Sequence, residues 1–309
     1  MRGPTVGQAW NTWFAYRCCG ARPLHASTRA DYECIWRCHL STHLTDVPLD
    51  TLNGATIAQL VVELSSAGMG AARLVKVMIP LRACLRWHHR MGSLERDPSP
   101  WFDSGAVSTG ERRILSIEEI GRLLDAMPAF WQPMITFLVF TGVRLGEMRA
   151  LTWDDIDLEA RTASVTKTMY MNTVQHSTKT GFDRVVPIPS HVVEVLREWR
   201  ERCPASAEGW AFPKTTGRVL DGNSFRKDTW RPAVKRAGLP AGLRIHDLRH
   251  TSASLYLQHG ATVREVMEIH GWRQMETALR YLHTTESLNI AADRLSDVWK
   301  GRGVQFDRD

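Results

Sequence analysis

No run of about eighteen apolar residues occurs in the chain, so no segment is built to cross a bilayer as a helix. The opening stretch MRGPTVGQAWNTW lacks the apolar core and small-residue cleavage site of a secretory signal, and the expected location is therefore the cytoplasm, with no membrane partner. Missing too are a Gly-rich phosphate loop and an acidic cluster suited to a metal, which argues against nucleotide-driven or two-metal chemistry. Cysteine is sparse: six residues with no CxxC pair, which reads as reduced thiols rather than a disulfide framework. Cys18 and Cys19, followed by Cys34, Cys38 and His39, could be imagined as a zinc site. Cys34 and Cys38, however, lie inside an apolar-periodic helical segment and read better as small core residues. Internal repeats and low-complexity tracts are also wanting.

What is present is ordinary globular material: 309 residues, 43% hydrophobic and 23% charged, with a formal net charge of +6. Residues 1–100 hold 11 Lys and Arg against 7 Asp and Glu, and the rest of the chain 28 against 26. The basic excess suits a polyanion but is too small to identify one, so placed residues must carry any such reading. Periodicity predicts four helices near 5–18, 28–44, 55–67 and 70–91. In the last, Leu74, Met78, Leu81, Leu85 and His88 form one buried stripe, and Arg82, Arg86 and Arg90 form another, either solvated or in contact with phosphate. Pro80 should kink or split that helix. ERDPSPWFDSGAVSTGER around residues 95–112 has the composition of an interdomain linker. Beyond it Ser116 and Glu119 offer a capping box, and residues 155–189 change to β-branched runs that predict a small antiparallel sheet. Helices are expected again near 190–202, 223–237, 247–259, 263–270, 274–282 and 286–300, with Thr262 and Glu265 as a second capping box and Gly271 as a stop.

Three polar groups are odd in their settings. In FTGVRLGEMRALTWDDIDL, Arg144 opens a helix, where a cation opposes the helix dipole by about 0.3–1 kcal/mol unless an anion lies between it and the free amides. Glu147, one turn on, can brace its guanidinium. In IHDLRHTSASLY, His246, Arg249 and His250 crowd another helix start; Arg249 supplies a fork matched to two phosphate oxygens, and His246 can exchange a proton near neutrality. His246 and His250 are spaced as in zinc helices, yet the glutamate of HExxH is absent and Asp247 is not its equivalent. In HGWRQMETALRYLH, Tyr281 carries a phenol that is a poor nucleophile unless cations stabilise its phenolate or a base takes its proton; alone it reads as a structural tyrosine.

In this order and spacing the three groups resemble the motifs of the tyrosine recombinases of the phage integrase family. TGVRLGE resembles the first arginine motif, HDLRHTSAS the His-x-x-Arg motif, and HGW followed by TALRY the motif that ends in the nucleophilic tyrosine. The resemblance implies a mainly α fold with a small antiparallel β-sheet (α+β). Residues 1–94 would be a helical core-site DNA-binding domain, 95–112 a linker and 113–309 the catalytic domain. It implies that Tyr281 attacks the scissile phosphate to leave a 3′-phosphotyrosyl link and a free 5′-hydroxyl. Arg144 and Arg249 would then hold the non-bridging oxygens, His246 would act as general base, and Lys179 would protonate the leaving oxygen. Lys167 on the preceding strand competes for the lysine role. Family members usually carry a histidine after Leu-Gly, whereas this chain reads His270-Gly271-Trp272; Trp272 falls in the histidine slot on one alignment and His270 on another. His250 would brace the site from within.

The implied substrate is double-stranded DNA bearing core recombination sites, and the implied assembly is a homo-tetramer in the synapse, with room for an accessory DNA-bending protein. No metal or cofactor is expected, because cations and general acid–base groups suffice for the chemistry. The helix near 286–300, apolar on one side, is expected to dock on a neighbouring protomer. The chain starts almost at the first domain, which leans toward a prophage, transposon or plasmid recombinase without an arm-binding module. Rival readings are a type IB topoisomerase and a DNA-binding regulator with a dead site.

Overall fold

The computed structural model describes residues 3–21, 23–98, 113–176 and 183–281. Lys179 and the expected helix near 286–300 lie outside the described residues, as does most of the expected linker. Two compact units are present, Met1–Gly110 and Glu111–Asp309.

The first unit is helical. Its elements are α1 (Val6–Cys19), α2 (Ala26–Ile35), α3 (Ser41–Leu44), α4 (Gly54–Ser66) and α5 (Ala71–Arg90). Thr5 and Gln8 close a reciprocal capping box on α1, and the Asn53 side chain accepts from the amides of Ala55 and Thr56 to start α4. The α5 stripe Leu74, Met78, Leu81, Leu85 and His88 is buried as its spacing requires, against Trp10, Trp13 and Leu60 among others. His88 Nε2 is 2.9 Å from the Ala9 carbonyl and so ties α5 to α1.

Of the kink or split expected at Pro80, the split does not occur: helix α5 runs through the proline, which is itself buried in the core. One expectation fails in this unit. Cys34 and Cys38 are not core residues. Both are exposed with their sulfurs 3.8 Å apart. The chain passes from α2 to α3 through a π turn, Trp36–Leu40. Tyr32, Ile35, Trp36 and Leu40 face the core, leaving the thiols on the outer side. His39 bonds to Arg73.

The second unit holds α6 (Ile117–Ala126), α7 (Gln132–Thr141), α8 (Leu145–Met148), β1 (Ile156–Asp157), β2 (Thr162–Val165), β3 (Thr168–Tyr170), β4 (Thr173–Gln175) and β5 (Arg184–Pro187). It continues through α9 (Ser190–Arg202), α10 (Gly222–Phe225), α11 (Arg231–Arg236), α12 (Asp247–Gln258), α13 (Val263–His270) and α14 (Met275–Leu279). Both expected capping boxes are formed, Ser116 with Glu119 on α6 and Thr262 with Glu265 on α13. The strands make two antiparallel sheets rather than one: β1-β2-β5, with Ala163 opposite Val186, and a separate β3-β4 hairpin. Met171 and Asn172, both at positive φ, form the turn of that hairpin, which lies in sequence between β2 and β5 of the larger sheet.

Helix α7 is apolar all round and buried all round, as such a helix must be. It ends at Gly142 in the left-handed conformation, with φ of 65°. A Cβ there would clash with His270 and lie 2.8 Å from Ser252 Oγ, so the turn that delivers Arg144 needs a glycine on two counts. Helix α12 packs on α7 and α13, and β5 lies beside α13. The core between them includes Phe137, Val139, Val165, Val186, Leu196 and Leu248.

Candidate active site

Arg144 caps the N-terminus of α8 in extended backbone, immediately after the Gly142 turn. Its guanidinium Nη1 donates to Glu147 Oε1 at 2.7 Å, and its own amide donates to Oε2 at 2.8 Å. The brace expected from Glu147 is therefore in place. Glu147 also receives a second guanidinium: Arg184 donates from Nη2 at 2.6 Å and from Nη1 at 3.2 Å, while its Nε donates to the Ile269 carbonyl at 3.0 Å. Strand period explains how Arg184 arrives there, since it shares the inner face of β5 with the buried Val186 while Val185 points to solvent. Burial alone would raise the Glu147 pKa, but hydrogen bonds and charge from Arg184, then Arg144, overcome it and hold the carboxyl down at about 2.

Arg249 lies one turn into α12 and is buried. It donates from Nη1 to the Gly142 carbonyl at 2.5 Å and from Nη2 to the His270 carbonyl, tying α12 to the ends of α7 and α13. Burial, then the charge of Arg144, lowers its pKa to about 9, so it is still a cation at neutral pH. Its guanidinium carbon sits 5.5 Å from the Trp272 ring centroid. His246, the residue before α12, has its pKa lowered by desolvation and then by Arg249 and Arg144, which favours the neutral ring near pH 7.

Tyr281 occupies the turn after α14 and is only 2% exposed. Ala253, Leu257 and Val266 surround it, and its ring stacks on Trp272 with centroids 5.4 Å apart at 8°. Its hydroxyl nevertheless meets a polar group, Nδ1 of His250. The His250 ring in turn lies edge-on to His246 at 4.9 Å. Arg249 feels the charge of Tyr281, which brings the phenol into the same electrostatic site. His270 is fully buried; because a carbonyl can only accept, Nδ1 must carry the proton that bonds Val266 O at 3.1 Å. Desolvation and then Arg249 push its pKa well below the usual value, so the ring is neutral, and Nε2 is left without a hydrogen-bond partner.

The structure thus brings together Arg144, Glu147, His246, Arg249, His250, His270, Trp272 and Tyr281. Lys167 bonds to Asp155 at 2.9 Å. Arg82, Arg86 and Arg90 lie on α5 of the first unit, Arg86 and Arg90 exposed and Arg82 half-buried. A cleft of about 650 Å³ opens beside Arg144, His246 and Arg249, and its wall also carries Arg226, Arg231 and Arg244. No carboxylate lines it among the described residues. Five guanidiniums, two of them paired with Glu147 and Asp247, and an imidazole give it a chemistry that suits an anion with several oxygens. Sequence reasoning missed Arg184, Arg226, Arg231 and Arg244. The basic run RKDTWRPAVKR was the visible signal for two of them, and strand parity for Arg184. Among the described residues no group of three or more His, Cys, Asp or Glu side chains is placed to hold a metal ion.

Comparison with known proteins gives a consistent answer. Residues 113–287 match the family model described as the phage integrase family. The chain is 27% identical over 244 residues to the tyrosine recombinase XerC of Xanthomonas axonopodis pv. citri, covering 77% of this chain and 76% of that one. It is 25% identical over 296 residues to XerD of Listeria monocytogenes, covering 90% and 93%. Among solved structures, the fold is similar to the Tn1549 transposon integrase in complex with a circular intermediate DNA, with a TM-score of 0.80 at 19% identity over 95% of this chain and 100% of that one. It is also similar to a lambda integrase dimer bound to a core site, with a TM-score of 0.70 at 19% identity over 90% and 77%.

Proposed function

The chain belongs to the phage integrase family of tyrosine recombinases, enzymes that cleave and rejoin DNA strands, and on that premise we propose that Tyr281 is its nucleophile. The phenol oxygen attacks a scissile phosphate, and the 5′-oxygen leaves as the 3′-phosphotyrosyl bond forms. Charge that builds on the non-bridging oxygens is met by Arg144 and Arg249, and fixed donors of this kind lower a barrier without reorganising. Lys179 supplies the proton for the leaving oxygen, His246 serves as a proton acceptor at the cleft mouth, and the Trp272 indole N–H is a hydrogen-bond donor for the phosphate. Rejoining reverses the same steps, because the phosphotyrosyl bond retains the energy of the phosphodiester.

The observation that carries this reading is the carboxylate-free cleft beside Arg144, His246 and Arg249, with Tyr281 held within the electrostatic reach of Arg249. Because Tyr281 is buried, its hydroxyl must leave His250 to reach a phosphate. The substrate is duplex DNA carrying paired core sites, and the working assembly is a homo-tetramer. The first unit, with Arg82, Arg86 and Arg90 on α5, contributes phosphate contacts. The similarity to a transposon integrase and a phage integrase supports integration or excision of a mobile element.

A nicked suicide duplex provides the test, because loss of the short 5′ fragment traps the covalent intermediate. The wild-type chain should yield a protein–DNA adduct, and Tyr281→Phe should bind the same DNA and yield none. A wild-type chain that binds but traps nothing would indicate a regulator, and relaxation of supercoils without strand exchange a topoisomerase.

A further inference from the structure

The phenol of Tyr281 must lose its proton to become a competent nucleophile, and its surroundings restrict what can take it. An unperturbed phenol has a pKa near 10, so at neutral pH only about one in a thousand is ionised without help. The residue is 2% exposed, with an apolar floor of Ala253, Leu257 and Val266 and the Trp272 indole across its face, so bulk water is a poor acceptor here. The family resemblance directs attention to His246 as the base. The contact at the phenol oxygen itself, however, is with Nδ1 of His250, one turn further along α12. The two rings also lie at 28° with centroids 5.6 Å apart.

We infer that His250 is a further catalytic residue, which accepts the proton of the Tyr281 hydroxyl as the nucleophile is released. This rests on the assignment of Tyr281 as nucleophile. In the step, the Oη–H bond breaks with its electron pair left on oxygen, and the proton adds to the lone pair on Nδ1 of the Nε2–H tautomer. The phenolate oxygen then bonds to phosphorus as the bond from phosphorus to the 5′-oxygen breaks, and that oxygen takes its proton from the leaving-group acid. On rejoining, the imidazolium returns the proton to Oη.

Three arrangements support this. His250 is half-buried on α12, with the His246 ring edge-on to it at 4.9 Å, so the imidazolium formed at the phenol lies beside a second imidazole rather than in a wholly apolar setting. Arg249, next in sequence, interacts favourably with the Tyr281 anion, and by reciprocity it stabilises the phenolate that His250 would create. Stacking on Trp272 holds the phenol ring against translation while its oxygen stays on His250. His250 thus both holds the nucleophile in its resting pose and takes its proton.

The experiment is single-turnover cleavage of the nicked suicide duplex at saturating DNA, with melting temperature and DNA affinity measured alongside. His250→Asn keeps a hydrogen-bond acceptor near the position of Nδ1 but takes up no proton. It should slow adduct formation on the order of 100-fold, the usual scale of general-base catalysis, with DNA affinity unchanged. Replacing Tyr281 by a fluorotyrosine of lower phenol pKa should then recover about tenfold of that loss, since a more acidic phenol depends less on its base. A purely structural role for His250 predicts no such recovery. His246→Asn, assayed with the same fluorotyrosine, should show no matching relief. Should His250→Asn fold poorly, His250→Gln is read by the same criteria. The inference is overturned if the variant cleaves within about threefold of wild type, if fluorotyrosine gives no recovery, or if the recovery belongs to His246→Asn instead. A wild-type chain that forms no adduct overturns the nucleophile assignment and this inference with it, and that result is visible before any histidine variant is assayed.

Discussion

At the scale of single residues, Glu147 is the anion around which the site's cations are arranged. It is buried and holds one guanidinium from α8 and another from β5. Its folded pKa of about 2 lies below the unfolded carboxylate value, so its contribution to stability is fully present above pH ~4.3 and is lost as pH falls toward 2. The contribution at neutral pH is on the order of 3 kcal/mol. Urea unfolding from pH 6 to pH 2.5 should show a steep acid limb in the wild type and a flatter one in Glu147→Gln. Arg184→Met would leave the carboxylate buried with one partner fewer, a loss of about 3–5 kcal/mol by analogy with other broken buried pairs. Arg184→Lys should recover only part of this, because one ammonium does not span two carboxylate oxygens and the Ile269 carbonyl together. Denaturant midpoints of the three chains check the order. Strand parity could place Arg184 on the inner face of β5, but its pairing with Glu147 was not legible because that partner lies 37 positions away.

At the scale of elements, the signals that proved readable are those that act within one turn. The Ser116–Glu119 and Thr262–Glu265 boxes and the Gly271 stop are local contests over backbone amides and φ, and the structure resolves them as the residues imply. Contests decided by the tertiary environment were harder to read. A proline breaks helices in isolation, yet α5 is not split at Pro80, and Cys34 and Cys38 lie opposite the face that Tyr32, Ile35 and Trp36 turn to the core. Of the candidate site, the motif residues on α8 and α12 were legible as oddities at helix starts. That Arg249 would be spent on the carbonyls of Gly142 and His270 was not, since it depends on two other helices ending beside it. Gly142 shows the cost of disturbing that junction. Gly142→Ala forces a side chain to positive φ and into His270, and should lower stability by several kcal/mol, taking strand cleavage with it. Gly271→Ala also forces a side chain to positive φ, but its methyl would meet the Arg184 side chain at 3.1 Å, a looser contact than at Gly142, and it should be the milder of the two in thermal melts.

At the scale of the whole molecule, the net charge of +6 describes the partner less well than the local concentration of arginines does. If Arg226 and Arg231 contact phosphates, affinity for duplex DNA should fall steeply with salt. Each Arg→Gln change at these positions should then lower the slope of log affinity against log salt by about 0.9, with little change in sequence preference. An unchanged slope would place those side chains off the DNA backbone.

The same cleft wall bears on how the protein behaves with nothing bound. Glu147 and Asp247 partner Arg144 and Arg244, but five guanidiniums still share that wall, and a polyanion bound to the folded form relieves their mutual repulsion. Heparin or short duplex DNA should therefore raise the melting temperature even where no cutting takes place. Dilute low-salt buffer, by contrast, is where the unloaded enzyme should prove least durable on the shelf.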